Sequence, residues 1–303
     1  MTLLPKKIST EFIGSLYLIG AVLGWGWSIP FNKLLTNDID PLSLIIIQLL
    51  ASAIFLLTII KFLKLKFSWV EDQILVVFFI GILEPGLAYY LGFIGVTKTS
   101  ALHVSVIYAL EPIGIIGFNF LLFQHKLKLN LIVVSIISFL GILIIASDDA
   151  NKNIYVDFLS GDILIFLGVM MASLYVSLSV QYLKAIDVIK MLFIQQIGSL
   201  FLISVIFVIS NNTDVTNLMT FKSSLVLQAV VLGVVQFGLS FLLYFLGAKR
   251  VTNYKGILIL NMTPVIGILA SIAVLHEHAT IYFAVGAIIV FICTLYANLN
   301  ESL

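Results

Sequence analysis

A chain of 303 residues that is 61% hydrophobic and 10% charged, with a mean hydropathy of +1.17, carries too little charge for a soluble domain, where roughly 25% is usual. Its formal net charge of +1 leaves no basic excess for nucleic acid and no acidic surface for a cationic macromolecule. So apolar a backbone must satisfy its hydrogen bonds within helices or a closed barrel, and the long unbroken apolar runs select helices.

A spanning helix needs about 20 mostly apolar residues. The chain divides into ten such segments, 12–34, 42–61, 73–96, 101–123, 129–147, 161–183, 189–209, 223–247, 254–275 and 279–298, separated by short polar joints. Lys6 and Lys7 precede the first segment as in a secretory signal, but the segment exceeds the roughly 7–15 residues of a signal core and lacks a small-residue cleavage site, so it reads as a retained helix. Cys293, the only cysteine, lies inside the last segment and reads as a packed thiol, with no internal disulfide or metal cluster available to it.

Lys and Arg in the joints prefer the cytoplasmic side. With the N-terminus inside, Lys6, Lys7, Lys61, Lys64, Lys66, Lys126, Lys128, Lys184, Lys190, Lys249, Arg250 and Lys255 share one side, against Lys33, Lys98, Lys152 and Lys222 on the other. That division puts both termini in the cytoplasm and the protein in a bacterial-type inner membrane as a multi-pass chain.

The sequence also reads as two halves, 1–150 and 151–303, of five helices each. A shift of 152 lays Gly81, Gly86, Leu87, Leu91, Phe93 and Gly95 on Gly233, Gly238, Leu239, Leu243, Phe245 and Gly247, and Pro112 on Pro264. A shift of 147 lays Gly14, Asp40 and Gln48 on Gly161, Asp187 and Gln195. An odd number of helices per half makes the second half enter from the opposite face, so the expected fold is all-α, ten transmembrane helices in two inverted five-helix repeats. Many secondary transporters obtain alternating access from such repeats, with substrate held near the midplane between them.

Of the fifteen acidic residues only Glu84 and Glu111 lie deep in apolar segments. A charge at the bilayer centre costs about 2.5–3.5 kcal/mol even on insertion scales, so such carboxyls are protonated, paired or facing water. On a regular helix Glu84 shares a face with Gly81, Ala88, Gly92 and Gly95, and its repeat mate Gln236 shares one with Gly233, Ser240, Tyr244 and Gly247. Small residues flanking a polar group permit either a close packing seam or room for a ligand. Ser105, Tyr108, Glu111 and Asn119 form a polar stripe on the fourth segment, and Pro112 should kink it, as Pro264 beside Asn261 should kink the ninth.

The candidate substrate-binding or coupling residues are therefore Glu84, Glu111, Gln236, Asn261, Tyr108, Gln48, Gln195, Trp25, Trp27 and Tyr244. The tryptophans come from the cluster Trp25, Trp27, Ser28, Pro30 and Asn32, and Tyr89, Tyr90 and Tyr175 offer further lining; packing or interfacial anchoring is the plainer role for any one aromatic. Desolvation raises a carboxyl's pKa and an arriving ammonium lowers it, so Glu84 or Glu111 can exchange a proton for a cationic or zwitterionic substrate; movement without a proton stays open. His276, Glu277 and His278 lack the spacing of a zinc helix, and no phosphate-binding Gly-rich loop is present. The run His276-Glu277-His278 reads as an interfacial joint, His103 and His125 offer no better ligand set, and Asp162 reads as a helix N-terminal residue.

Trp25-Gly26-Trp27-Ser28, the ten helices in two halves, and the prolines of helices four and nine together resemble the drug/metabolite transporter superfamily, in particular its EamA-type exporters and permeases. The resemblance implies that helices one to four and six to nine surround a central cavity while helices five and ten lie outside. It also implies a Glu just after helices four and nine: Glu277 fits the second, whereas His125 stands at the first. Family members move amino acids, nucleotide derivatives, dyes and other metabolites. The two carboxyls favour an amine-bearing substrate, such as an amino acid or S-adenosylmethionine, and a single arginine, Arg250, disfavours a bidentate clamp on an anion.

The expected protein is thus a secondary transporter in the lipid bilayer, a monomer or weak homodimer, taking a small-molecule substrate without cofactor, metal or nucleic acid. The competing readings are an integral membrane enzyme acting on a lipid or isoprenoid, for which Asp148-Asp149 is the nearest acidic cluster, and a noncatalytic channel or assembly partner.

Overall fold

The computed structural model describes residues 10–65, 71–123, 129–146, 155–182, 186–210, 222–251, 259–260 and 262–301, and among them there is no strand. In chain order the helices are α1 (Thr10–Leu35), α2 (Pro41–Phe62), α3 (Glu71–Gly81), α4 (Ala88–Lys98), α5 (Ala101–Tyr108), α6 (Glu111–Phe123), α7 (Leu129–Ala146), α8 (Tyr155–Tyr182), α9 (Val188–Ile209), α10 (Ser223–Gly233), α11 (Phe241–Ala248), α12 (Met262–Leu275) and α13 (Ile281–Glu301). A π-helical turn, Ile82–Leu87, joins α3 to α4, and a second, Val234–Ser240, joins α10 to α11.

Among the described residues, seven helices or helical runs are long and apolar enough to cross a membrane: Thr10–Leu35, Pro41–Phe62, Gln73–Lys98, Ala101–Phe123, Ser160–Tyr182, Val188–Ile209 and Ser223–Ala248. Met262–Leu275 and Ile281–Cys293 are shorter apolar helices. The chain is a multi-pass membrane protein, and its surface is apolar while polar side chains are also found inside. Ile54, Phe62, Leu121 and Ile209 are exposed, while Gln48, Ser52, Gln195 and Ser199 are buried. With lipid outside there is no water to drive apolar groups inward, so polar and small residues hold the helices together.

Local sequence sets the helix starts. Asp40 caps α2 by accepting from the Ser43 amide at 2.9 Å, with Pro41 opening the helix, and Asp187 caps α9 by accepting from Ile189 at 3.0 Å and Lys190 at 3.4 Å. Each side chain satisfies amides that lack an intrahelical partner. Asp187→Ala is expected to cost about 1 kcal/mol, a typical cap value, read as a lowered thermal unfolding temperature in detergent.

Several interior contacts recur at the positions that the sequence pairs. A Cβ on Gly81 would run into the Gln195 backbone of α9, and a Cβ on Gly233 would run into the Gln48 backbone of α2. Gly95 approaches the Gly161 carbonyl, and Gly247 approaches that of Gly14. Gln48 Nε2 donates to Asn32 Oδ1 at 2.9 Å, and Gln195 Nε2 donates to Ser179 Oγ at 3.0 Å, each bond spanning 16 residues. In the glycine contacts each half supplies what the other receives. Helix α7 packs chiefly on α13, with few contacts to the rest.

Candidate functional site

Neither Glu84 nor Gln236 sits on a regular α-helix. Glu84 is extended, with φ −147° and ψ 135°, inside the π-helical turn, and Pro85 after it has no amide to continue the helical bonds. The Glu84–Pro85 peptide is cis. The helical face assigned to Glu84 together with Gly81, Ala88, Gly92 and Gly95 is therefore corrected: the break turns the carboxyl independently of that face. In the other half Gln236 lies in the second π-helical turn, where Ser240 Oγ donates to the Val235 carbonyl at 2.8 Å. Such turns insert an extra residue and frequently mark functional positions.

The fourth segment breaks just before its proline. Ala109 and Leu110 form a turn between α5 and α6, with their amides donating to Val106 and Ile107 at 3.0 Å. Pro112, which lacks an amide and crowds the preceding turn, explains the interruption. Pro264 lies in the first turn of α12, and residue 261 ahead of it, where the expected kink would fall, lies outside the described residues.

These breaks surround a cavity of about 110 Å³ that Trp25, Asn32, Glu84, Tyr89, Tyr108, Glu111, Gln236, Phe241, Tyr244 and Thr263 help to line. Volume of that order admits several waters or a small ligand fragment. Six of the candidate residues, Glu84, Glu111, Gln236, Tyr108, Trp25 and Tyr244, meet there, and among the described residues no Lys, Arg or His lines the cavity. The walls are aromatic: Trp25 packs edge-on to Phe241 at 5.1 Å and tilts against Tyr244 at 5.5 Å between centroids. Asn261 falls outside the described residues.

The other three candidates do not line the cavity. Trp27 is 42% exposed and stacks on Phe31 at 6.3 Å; two residues on from Trp25, it is rotated by about 200° to the opposite side of α1. Gln48 and Gln195 are buried in helix contacts. Gln48 holds Asn32, and Asn32 Nδ2 donates in turn to Gln236 Oε1 at 2.7 Å. Gln195 donates to Ser179 and accepts from Tyr175 Oη at 2.9 Å.

The two halves differ where the chemistry is. Gln236 is held by Asn32. Glu84, its counterpart, is 5% exposed, and no hydrogen bond among the described residues reaches its carboxyl. The residue at the position matching Asn32 is Ser179, a shorter side chain already engaged by Gln195. Trp25 Nε1 is buried without a protein acceptor. An unpartnered neutral donor costs about 1–3 kcal/mol, whereas an uncompensated buried carboxylate costs several, so the acids dominate the site's energetics.

A second polar group, beyond the candidate list, ties one end of the bundle. Glu277 accepts from the Ala101 and Leu102 amides at 3.0 and 2.9 Å, holding the start of α5. Lys33 Nζ donates to the Val96 and Thr99 carbonyls at 2.6 Å each. Thr99 Oγ1 donates to Asp162 Oδ1 at 2.6 Å, and His103 Nδ1 lies 3.1 Å from Asp162 Oδ2. Asp162 is thus a cross-helix partner well inside α8 rather than an N-terminal cap. Its partners come from distant segments, which no local pattern reveals; for Glu277 alone the resemblance supplied a signal.

The solved structures include a crystal structure with 14% identity to this chain and a TM-score of 0.65, aligned over 94% of this chain and 98% of that one, which shows a shared fold. No curated protein matches the chain. The model of the EamA-like transporter family matches twice, over residues 12–147 and 159–299. With those two matches spanning nearly the whole sequence of a multi-helix membrane protein, the chain belongs to the EamA-like transporter family.

Proposed function

We infer that this membrane transporter is a secondary carrier of a small amine-bearing metabolite, working by alternating access as exporter or permease and exchanging its cargo for protons. The observation that carries the reading is the convergence of Glu84 and Glu111 on one aromatic-walled cavity with no basic side chain among its described lining residues. An ammonium supplies the charge the acids lack, and aromatic faces stabilise a cation about 6 Å from the ring centre. A proton on the same carboxyl neutralises it on the return leg, so proton and amine compete for one group.

The mechanism rests on ten spans arranged as two inverted repeats of five, 1–150 and 151–303, in an inner membrane with both termini cytoplasmic. The reciprocal glycine contacts support the repeat: Gly81 on Gln195 matches Gly233 on Gln48, the pattern of a twofold relation in which each partner gives and receives the same contact. Alternating access then requires one repeat to rock against the other around the site. The ties from Lys33, Glu277 and Asp162 are the contacts that opening at their end must break.

Purified protein in ATP-free liposomes is expected to show amine counterflow, with labelled external amine accumulating against unlabelled amine inside. Chemical conversion without flux would instead make the protein an enzyme, and flux that does not accumulate label would make it a channel.

A further inference from the structure

We propose that the cargo is an aliphatic diamine, carried as a dication with one ammonium on Glu84 and the other on Glu111. This rests on the reading of the protein as an amine carrier and narrows it. Both acids line the same cavity, and among the described residues no Lys, Arg or His lines it. Glu84 is 5% exposed, with no hydrogen bond from the described residues on its carboxyl. Gln236 at the matching position is neutral and bonded to Asn32, so the cavity offers two acids and a satisfied amide.

Charge balance selects among amines. A monoamine neutralises one carboxylate, and the other must either keep its proton, so that only one proton is exchanged, or stay buried with no counter-charge, a costly arrangement in a low dielectric. A zwitterion adds a third negative group, for which the lining supplies only neutral donors such as the unpartnered Trp25 indole N–H. A dication neutralises both acids. Its methylene spacer suits the apolar surface of Tyr89, Gly92, Phe93 and Tyr108 on the same lining, because alkyl groups gain by leaving water. On the return leg two protons, one on each carboxyl, replace the two ammonium charges. One diamine dication is therefore exchanged for two protons, and the cycle moves no net charge.

The test uses the full chain in proteoliposomes with labelled α,ω-diaminoalkanes of three to six carbons, each compared with the monoamine of equal length and with a neutral amino acid. The expected result is at least a tenfold preference for a diamine over its monoamine. Diamine uptake should follow a pH gradient and ignore a potassium-diffusion potential. Glu84→Gln and Glu111→Gln should each lower diamine counterflow more than monoamine counterflow, while Glu84→Asp, which keeps the charge, should retain the parent's ranking. The proposal is overturned if the parent ranks a monoamine or the amino acid at or above every diamine, if uptake follows the potential, or if both glutamine variants keep the parent's ranking. Absence of counterflow for every amine is a separate outcome and removes the amine-carrier reading itself.

Discussion

Glu84→Gln is expected to lower amine counterflow at least tenfold and to flatten its dependence on pH. The substitution keeps size and removes charge, and a hydrogen bond to a charged group is worth about 1.5–3 kcal/mol, where each 1.4 kcal/mol is about tenfold. In the parent, acidifying the side from which substrate enters places protons on the acids and so competes with the amine; without the carboxyl at this position that competition weakens. Initial rates across a pH series check both effects, and a variant with the parent's rate and profile would refute a role for Glu84 in coupling. Exchanging the two positions, Glu84→Gln with Gln236→Glu, is not expected to restore transport. Asn32 donates to position 236 and is itself held by Gln48, so an acid there is pinned to α1. Position 84 has no such donor among the described residues. On the proposed mechanism, the difference between positions 84 and 236 matters as much as their likeness.

That difference marks the limit of what the sequence discloses. The helices were legible because a bilayer imposes length and apolarity on each of them; the expected starts at 42 and 189 fall one residue after Pro41 and Val188, where the Asp40 and Asp187 caps set them. The glycines were legible as pairs at a fixed spacing, although not as the points where backbones meet. The Glu84-Pro85-Gly86 run contained the local cause of the first helix break, yet periodicity laid Glu84 on an unbroken face. The break at Val234–Ser240 has no proline; its neighbour Gly233 lies against the Gln48 backbone, a tertiary contact invisible to local reading. Composition brought Trp25 and Trp27 forward together, but a helix can turn only one of two such residues inward, and only the packed neighbours select Trp25. Gln48 and Gln195 were recognisable as mates, whereas their work between helices depends on Asn32, Ser179 and Tyr175. Hydrogen-bond partners from separate segments leave no periodic signature.

Gly81→Ala and Gly233→Ala are expected to destabilise the protein, each by about 1–3 kcal/mol, the usual cost of overpacking, whereas Gly117→Ala is expected to be neutral or stabilising. The same chemical change carries opposite signs because propensity and packing compete. Alanine in a helix gains about 0.5–1 kcal/mol over glycine, and at Gly117 nothing within 4 Å opposes the added Cβ. At Gly81 the Cβ runs into the Gln195 backbone and at Gly233 into the Gln48 backbone. Backbone cannot swing aside as a side chain does, so helices must separate. Separation at Gly81 also lengthens the bond by which Ser199 Oγ donates to the Gly81 carbonyl, 2.6 Å in the parent, and it does so three residues before Glu84. Thermal unfolding in detergent, followed by tryptophan fluorescence, should lower the midpoint by several degrees for the first two variants and leave the third at or above the parent. Equal midpoints for all three would mean that the helix pairs α3–α9 and α10–α2 are not in backbone contact, and the reciprocal packing on which a twofold mechanism depends would go with them.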